Sequence, residues 1–479
     1  MKRKLFLLLG TITTLLGGCT LAPKYTPPAA PVSAEWPSGE AYRENKTAAG
    51  VPAAPEVKWQ DFFTDAKLQR IIGTALNNNR DLRLAALNVE RARALYGIQR
   101  AELLPAVNAI GSASKQRRAL DLVRPGEPRT TEQYSVNLGV TAWEIDFFGR
   151  IRSLKDAALQ EYLATEQGRR SAQIALISAV ANTYLSLAAD LSILNLAKST
   201  LDTQQAAYNL IKRRYDVGMT SELDLRRAQT QVDAARGDVA RYTQLAAQGE
   251  NALNLLVGSP ILKDLLPRDL SSVSPPREIS PGISSEALLR RPDVLQAETL
   301  LKAANANIGA ARAAFLPRIS LTTAIGAASA DLSGLFTSGS GTWGFAPQIA
   351  VPIFDARTWS AYDVTKVQRE IFVAQYEKAI QTAFREVADA LAVQGTVDQQ
   401  IAAQQSLVDA VAEIYRLSNA RYTKGIDSYL GVLDAQRSLY AAQQAMTNIQ
   451  LARLTNRVTL YKALGGGESE GDKLLPTKK

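Results

Sequence analysis

One stretch of this chain occurs twice, at a constant spacing of 207 residues. The second copy has the sequence RYTKGIDSYLGVLDAQ at residues 421–436, and the first copy begins at Arg214. Identical residues occupy the same places in both copies: Arg214/Arg421, Tyr215/Tyr422, Gly218/Gly425, Ser221/Ser428, Leu223/Leu430, Ala228/Ala435 and Gln229/Gln436. A constant spacing indicates that one helix–turn–helix unit was duplicated. Any fold for this chain must therefore accommodate that unit twice.

An earlier segment also repeats, with an offset of 212 residues. The matching positions are Ala75/Ala287, Leu76/Leu288, Asp81/Asp293, Arg100/Arg312 and Leu104-Pro105/Leu316-Pro317. A helix predicted at about 81–103 ends at the first Leu-Pro pair, because proline stops a helix and favours extended chain after it. We therefore predict two structural repeats, residues 62–282 and 283–464.

Alternating apolar and polar residues follow each Leu-Pro pair, which is typical of β-strands. The predicted strands cover about 107–117, 133–146, 318–328 and 343–354. In the second of them the apolar positions are Tyr134, Val136, Leu138, Val140 and Ala142. A tilted strand of roughly 9–11 residues can cross a bilayer. Half-buried strands of a soluble domain would show the same alternation.

If these strands lie in a membrane, the chain must form oligomers. An open sheet edge is not tolerated in lipid, and four strands cannot close a barrel. Two copies would give an eight-stranded barrel filled by its own side chains, whereas three copies would give twelve strands and an open lumen. Three is thus the smallest number of copies that leaves a pore.

Each pair of strands precedes a long tract without proline, residues 129–259 and 353–475. In the first tract an apolar seam recurs every three or four residues, as in coiled coils: Ile174, Ile177, Ala181, Tyr184, Ala188, Leu191 and Leu194. A helix from about 150 to 213 would be roughly 95 Å long at 1.5 Å per residue. Four glycines are predicted to end the helices of two hairpins: Gly218 and Gly425 at the turns, Gly258 and Gly465 after the return helices.

The N-terminus is predicted to be a lipid-anchored leader. Residues 1–18 resemble an export signal, with a basic start and an apolar run too short to span a bilayer. Leu16-Gly17-Gly18-Cys19 resembles a lipobox, which predicts cleavage before Cys19 and lipid attachment to it. The proline-rich residues 19–61 are predicted to lie extended along another surface, and 465–479 to form a flexible tail.

The composition argues against an enzyme. The chain contains no histidine and a single cysteine, which removes most acid–base pairs, nucleophile pairs and zinc sites. We expect no cofactor beyond the covalent lipid on Cys19. The net charge of +9 suggests an acidic partner, but lysine and arginine are interspersed with acidic residues and form no block beyond Lys2-Arg3-Lys4. No nucleic-acid partner is therefore expected.

Together these features resemble the TolC-type outer membrane factor family, most closely its lipid-anchored, OprM-like branch. The similarity covers residues 17–467 and includes the phrases WEIDFFGR at 143–150, NIGAARAAFLP at 307–317 and YKALGGG at 461–467. The resemblance implies an α+β membrane protein: a TolC-like homotrimer whose twelve-stranded outer-membrane β-barrel, four strands per protomer, continues into a long periplasmic α-helical barrel.

The implied function is the passive exit duct of a tripartite multidrug efflux pump in the outer membrane of a Gram-negative bacterium. Its implied partners are outer-membrane lipid, a periplasmic membrane-fusion adaptor and an inner-membrane RND-type pump, which together open the periplasmic tip and supply drugs and toxic solutes. Two alternatives stay open. The same duct could serve protein secretion, or the chain could be a periplasmic coiled-coil scaffold lipoprotein without a pore, which the strand pairs disfavour.

The same resemblance implies a gate in the second copy of the repeat. Aligned through Gly425, Asp434 falls at a constriction carboxylate and Leu430 at an apolar gate position. Three Asp434 carboxylates around a threefold axis would repel one another and attract cations. Tyr422 and Asp224 fall where a tyrosine–aspartate link latches the moving hairpin to the static one.

The two copies differ at the positions on which this gate depends. Arg227 stands where the second copy has Asp434, and Asp224 where it has Gly431. Only the second hairpin presents a carboxylate at the constriction, so we predict that it is the gate and the first hairpin its latch. Relative to the archetype, Gly431 replaces a second aspartate and Asp427 replaces a gate arginine, so neither a second acidic ring nor that arginine's salt bridge is expected.

Overall fold

The structure, a computed structural model, describes residues 20–42, 57–280 and 284–466. The predicted signal segment, Cys19 and nearly all of the predicted tail lie outside these residues. Two compact units are present. The first comprises the described residues within 1–28, 88–165 and 296–376, and the second those within 29–87, 166–295 and 377–479. Each unit takes segments from both halves of the chain, so the compact units cut across the sequence repeats.

The first unit contains an antiparallel sheet with the strand order β1-β2-β3-β4. The strands are β1 (Val107–Arg117), β2 (Thr130–Glu144), β3 (Arg318–Ser329) and β4 (Gly341–Ala350). Because the strands alternate in direction, the chain enters from helices and leaves to helices at one end of the sheet. The loops 118–129 and 330–340 lie at the other end. Strands β1 and β4 form the two edges of the sheet.

The register separates the side chains of the sheet onto an apolar face and a polar face. One face carries Val107, Ala109, Val136, Leu138, Val140, Leu321, Ile325, Trp343, Phe345 and Ile349. The other carries small or polar residues apart from Ile110, among them Asn108, Ser112, Ser135, Asn137, Ser320, Thr322, Gly326 and Gln348. Such a sheet can face lipid on one side and water on the other.

Two strands differ from the sequence prediction. The alternation of β2 breaks at Ala142, which has a φ of 50° in a β-bulge between Val140 and Trp143. The extra residue leaves Ala142 off the apolar face and places Trp143 there, opposite Leu321. Strand β4 ends at Ala350 rather than near 354, because Ala350 pairs with Arg318, the first residue of β3, and among the described residues no strand lies opposite those beyond it.

The remaining elements are helices, two of which are very long. They are α1 (Trp59–Phe62), α2 (Ala66–Asn78), α3 (Arg80–Ala101), α4 (Arg150–Asp216), α5 (Glu222–Val257), α6 (Pro292–Ala313), α7 (Ala356–Thr423) and α8 (Tyr429–Ala463). Helices α4 and α7 contain 67 and 68 residues. Helix α1 begins inside residues 19–61, the segment predicted to be extended, and ends at the first residue of the first predicted repeat; its Trp59 and Phe62 are buried.

The predicted apolar seam of α4 is the buried side of that helix. Ile177, Ala181 and Tyr184 are almost fully buried, and of the predicted set only Leu191 is half-exposed. One window of α4 is apolar and long enough to cross a bilayer, but most of it is buried within the protein. Packing between helices therefore accounts for this seam without a membrane span.

The duplication is visible in how each return helix ends. The Asn79 side-chain amide donates to the carbonyl of Leu256 at 2.8 Å, near the end of α5. Its repeat counterpart Arg291 donates to the carbonyl of Ala463 at 2.6 Å, at the end of α8. Both residues satisfy carbonyls that the end of a helix leaves unpaired. The end of the return helix is thus hydrogen-bonded in the same way in both repeats, but by different side chains.

The first described residues, from residue 20 onwards, lie against α6. Within the first unit, the carbonyls of Leu21 and Pro23 accept hydrogen bonds from Arg312 and Asn305 of α6, at 3.1 and 2.7 Å. Gly309 of α6 lies against this segment, since a Cβ there would come within 2.7 Å of the Ala22 backbone nitrogen. Residues 21–23 therefore lie along α6.

Candidate functional site

The two copies of the repeat form turns of the same local geometry. Gly218 and Gly425 have φ values of 74° and 72°, in the left-handed region that glycine adopts without strain. In each turn the glycine N–H donates to a carbonyl three residues earlier, and the next N–H donates to a carbonyl five residues earlier. This hydrogen-bond pattern is typical of a helix that ends at a left-handed glycine. The duplicated sequence thus produces duplicated hairpin ends.

An apolar cluster joins the two hairpin ends in the second unit. Its buried members come from three helices: Ile211 of α4, Ala228 of α5, and Tyr429, Val432 and Leu433 of α8. Tyr415 and Tyr422 of α7 pack against it. Burial raises the pKa of Tyr429 to about 12, so this phenol is neutral at physiological pH.

The predicted gate residues lie on the opposite, exposed side of α8. Leu430, Asp434 and Arg437 follow one another at helical spacing, and all three are exposed. Leu430 is 41% exposed although it is a large apolar residue next to the buried cluster. The Asp434 carboxylate lies 3.9 Å from the Arg437 guanidinium. Sequence reasoning overlooked Arg437, which the spacing of three residues would have revealed.

The predicted latch residue Tyr422 contacts the other hairpin. Its hydroxyl accepts a hydrogen bond from Nη1 of Arg214 at 3.0 Å. The Arg214 guanidinium carbon also lies 5.3 Å from the centre of the Tyr422 ring, within range of a cation–π interaction. Arg214 belongs to α4 and Tyr422 to α7, so this contact connects the two hairpins directly.

Asp224, the predicted partner of Tyr422, is held within its own turn. Its carboxylate accepts hydrogen bonds from Ser221 and Thr220 and lies 3.8 Å from Arg227. Its backbone N–H donates to Ser221 Oγ, which caps the start of α5. The structure therefore pairs Tyr422 with Arg214 rather than with Asp224, which corrects the predicted partner. Roles for Tyr422 and Asp224 in holding the gate remain predictions.

A difference between the two copies explains why Arg214, and not its counterpart Arg421, contacts the other hairpin. Its counterpart Arg421 makes a two-point ion pair with Asp427 in its own turn. This pair lowers the pKa of the Asp427 carboxyl. The first copy has Thr220 at the position of Asp427, so Arg214 has no equivalent carboxylate and reaches Tyr422 instead.

The exposed side chains of this site differ in charge and in size. Among the described residues no group of three or more His, Cys, Asp or Glu side chains is arranged to hold a metal ion. The exposed stripe combines an apolar residue, a carboxylate and a guanidinium, which can select ions and block a passage. Lipid attachment at Cys19 remains a prediction, because that residue lies outside the described part.

Comparison with known proteins gives this arrangement a context. The sequence profile described as "Outer membrane efflux protein" matches residues 71–259 and again residues 283–466. The chain belongs to the outer membrane efflux protein family. Two relatives from Pseudomonas putida, the antibiotic efflux pump outer membrane protein ArpC and the toluene efflux pump outer membrane protein TtgC, are each 50% identical over 468 residues, 97% of this chain and 96% of theirs.

The fold agrees with that family. The open-state structure of the Neisseria gonorrhoeae outer membrane channel MtrE has a TM-score of 0.84 and 38% sequence identity, over 94% of this chain and 98% of that one. This outer membrane efflux protein therefore has the TolC-like fold that its sequence implied. It is the outer-membrane exit duct of an efflux pump, located in the outer membrane and extending into the periplasm.

Proposed function

We propose that three copies of this outer membrane efflux protein form the passive duct of a tripartite pump, closed at rest by the α7–α8 hairpins. An inner-membrane RND-type pump would supply the solutes and the energy, and a periplasmic membrane-fusion adaptor would open the tip. Relatives named for antibiotic and toluene efflux support drugs and toxic apolar solutes as its cargo. The duct would use no cofactor and catalyse no reaction.

The observation that carries the proposal is the open sheet. Strands β1 and β4 are exposed along their whole length, whereas β2 and β3 are largely half-buried. Unpaired backbone groups at these edges cannot remain in lipid, so β4 of one copy must pair with β1 of the next. Three copies close a twelve-stranded barrel, with the apolar face towards lipid and the polar face lining an open lumen.

The gate proposal rests on the two faces of α8. Its buried residues tie the hairpin to the apolar cluster, while Leu430 and Asp434 project from the exposed face. Around a threefold axis, three leucines would form an apolar constriction and three carboxylates a ring that attracts cations. Arg437 beside each Asp434 would offset part of that negative charge.

The Arg214–Tyr422 contact would hold the gating hairpin in place. It supplies one hydrogen bond and one cation–π contact between the two hairpins of a protomer. Both interactions are lost if α7 moves away from α4. A partner that draws the hairpins apart would need to break few polar contacts, which suits a gate that must open reversibly.

Channel recordings test the proposal. Purified protein in planar bilayers should show small, cation-selective conductance, and the double variant Leu430→Ala/Asp434→Ala should conduct several-fold more. Asn448→Ala, an exposed position about four turns beyond Asp434 on α8, serves as the matched control and should leave conductance unchanged. Absence of conductance in both the wild type and the double variant would contradict a duct and favour the scaffold alternative.

A further inference from the structure

The loop of residues 118–129, which joins β1 to β2, is rich in unpaired cations. The loop and the last three residues of β1, residues 115–129, include Lys115, Arg117, Arg118, Arg124 and Arg129 against Asp121 and Glu127, a net charge of +3, of which the loop itself contributes +1. The other loop at this end of the sheet, residues 330–340, has Asp331 as its single charged residue. Positive charge is therefore concentrated in one of the two loops.

Strand pairing brings together arginines that are separate in the sequence. Arg117 lies opposite Thr130 in the last pair of the β1–β2 register. One step further, the Arg118 N–H donates to the carbonyl of Arg129 at 2.8 Å. Three guanidinium groups thus lie at the same end of a two-stranded ribbon. The sequence shows KQRR at residues 115–118, and the hairpin adds Arg129 to this basic run.

The described residues provide these arginines with no counter-charge. Lys115 forms an ion pair with Glu132 across the ribbon. In contrast, no ion pair or side-chain hydrogen bond joins Arg117, Arg118, Arg124 or Arg129 to another described residue, and all four are exposed. An exposed guanidinium group without an ion-pair partner can bind two phosphate oxygens at once.

Apolar side chains accompany the cations. Leu120 and Leu122, in a short 3₁₀ turn of the same loop, are 71% and 72% exposed. Exposed leucines beside arginines are typical of segments that rest in a membrane interface, where the apolar groups enter the acyl region and the cations contact headgroups. A loop that extended into water would gain nothing from two exposed leucines.

The sheet register shows which side of the barrel wall these residues approach. Arg117 and Lys115 have the same parity in β1 as Val107 and Ala109, so they lie on the apolar face. Arg118 and Arg129 have the parity of the polar face, but they come one step past the last strand pair, at the rim, where an arginine side chain is long enough to reach lipid headgroups. They occupy the end of the sheet opposite the helices. Because the helices extend into the periplasm, this end lies at the outer leaflet, where the main lipid is a phosphorylated glycolipid.

We infer that the β1–β2 loop binds the phosphate groups of outer-leaflet glycolipid, with Arg117, Arg118, Arg124 and Arg129 as the phosphate ligands. Leu120 and Leu122 insert between the acyl chains beside them. The binding fixes the height of the barrel in the asymmetric outer membrane. This inference rests on the proposed barrel but not on the gate. Gate variants that leave conductance unchanged would not affect it, whereas absence of any conductance would remove the barrel on which it depends.

The experiment compares lipid A with enzymatically dephosphorylated lipid A on the purified full-length oligomer in detergent, by native mass spectrometry. The wild type should bind lipid A at least about tenfold more tightly than the dephosphorylated form, and less tightly as salt is raised. The variant Arg117→Gln/Arg118→Gln/Arg124→Gln/Arg129→Gln should lose this preference, since each arginine near a charged surface contributes about fivefold.

Two controls separate lipid recognition from other effects. Lys115→Gln removes a cation already paired with Glu132 and should change the preference by less than about twofold. Asp121→Asn/Glu127→Gln removes the two acidic groups and should strengthen binding. Inorganic phosphate at millimolar concentration should not compete, because it lacks the acyl chains that Leu120 and Leu122 contact.

Several outcomes would overturn the inference. One is a quadruple variant that binds lipid A as the wild type does while its oligomeric state on a native gel is unchanged. Another is equal affinity of the wild type for both lipids. A variant with unaltered lipid binding but a shifted reversal potential would instead assign the arginines to the mouth of the pore.

Discussion

At the scale of single residues, the candidate gate depends on charges one helical turn apart. Asp434 is exposed on α8 and lies 3.9 Å from Arg437, which is exposed as well. An exposed pair at this distance contributes little to stability, about 0–1 kcal/mol. The pair would have a larger effect on ion selectivity than on stability, because three carboxylates and three guanidinium groups would lie around one axis. The two residues should therefore alter selectivity in opposite directions.

Asp434→Asn is expected to reduce the preference for cations, because it removes the negative ring at the constriction. Arg437→Gln is expected to increase it, because the carboxylates then act without a neighbouring positive charge. Reversal potentials in a tenfold KCl gradient would measure both effects. Shifts in the same direction for both variants would contradict the arrangement.

Arg214→Ala is expected to raise the open probability of the duct, since it removes both contacts with Tyr422. Tyr422→Phe should have a smaller effect, because the ring still offers a cation–π contact after the hydrogen bond is lost. The neighbouring Arg213 donates to Asn209 of its own helix, so Arg213→Ala is a matched control. Equal conductance for Arg214→Ala and Arg213→Ala would exclude the cross-hairpin contact from gating.

At the scale of secondary-structure elements, the left-handed glycines end helices in different surroundings. Gly218 and Gly258 have the same φ of 74°. A Cβ at Gly218 would meet nothing within 4 Å, whereas a Cβ at Gly258 would lie 2.5 Å from the Asn78 carbonyl oxygen. The first glycine is required by its backbone conformation alone. The second is required by backbone conformation and by close packing of α2 on the end of α5.

Gly218→Ala should destabilise the protein by about 1–2 kcal/mol, the cost of a left-handed alanine. Gly258→Ala should cost about 1–3 kcal/mol more, because the backbone at Asn78 must move to admit the methyl group. Thermal unfolding followed by circular dichroism in detergent would compare the two variants. Similar unfolding midpoints would show that the contact between α2 and α5 relaxes easily.

At the scale of the whole molecule, the two faces of the sheet determine where lipid and water lie. Leu138 and Asn137 are neighbours near the middle of β2, on the apolar and the polar face respectively. The apolar face would meet lipid only in a closed barrel. Adjacent positions on one strand therefore offer a direct test of the architecture.

Leu138→Lys should destabilise the barrel by about 2–4 kcal/mol, the cost of a cation at the lipid-facing midplane. Asn137→Lys should be tolerated and should lower cation conductance, because the new charge would point into the lumen. Resistance of the oligomer to heating in SDS would report stability, and planar-bilayer recordings would report conductance. The reverse pattern would mean that the faces are assigned the wrong way round.

Local chemistry explains how much of this fold could be predicted from the sequence. The left-handed glycines and the Leu-Pro pairs act through the backbone of a few residues, so hairpins and helix ends were predictable to within a few residues. The bulge at Ala142 was not, because it depends on pairing with Leu321 and Thr322, about 180 residues away. The end of β4 depends on pairing too, because Ala350 pairs with Arg318, the first residue of β3.

The candidate site was predictable in position but not in partners. Leu430, Asp434, Tyr422 and Asp224 all lie at the hairpin ends, as the duplication implied. Which of them touch depends on competition: Ser221 and Thr220 already satisfy Asp224, and Asp427 already holds Arg421. Arg214 has no carboxylate at the position of Asp427 and therefore contacts Tyr422. Such competition is decided only when all the side chains are in place.

The sequence by itself determined the repeated architecture of this outer membrane efflux protein. Repeats, strand alternation and helix breaks are encoded by residues close together in the chain, and their physical effects are local. The tertiary structure decided which arginine crosses between hairpins, which face of the sheet is apolar after the bulge, and which cations meet at the β1–β2 loop. Each of these depends on which groups from distant parts of the chain come close together. Electrostatic and packing interactions act only between groups that are close in space.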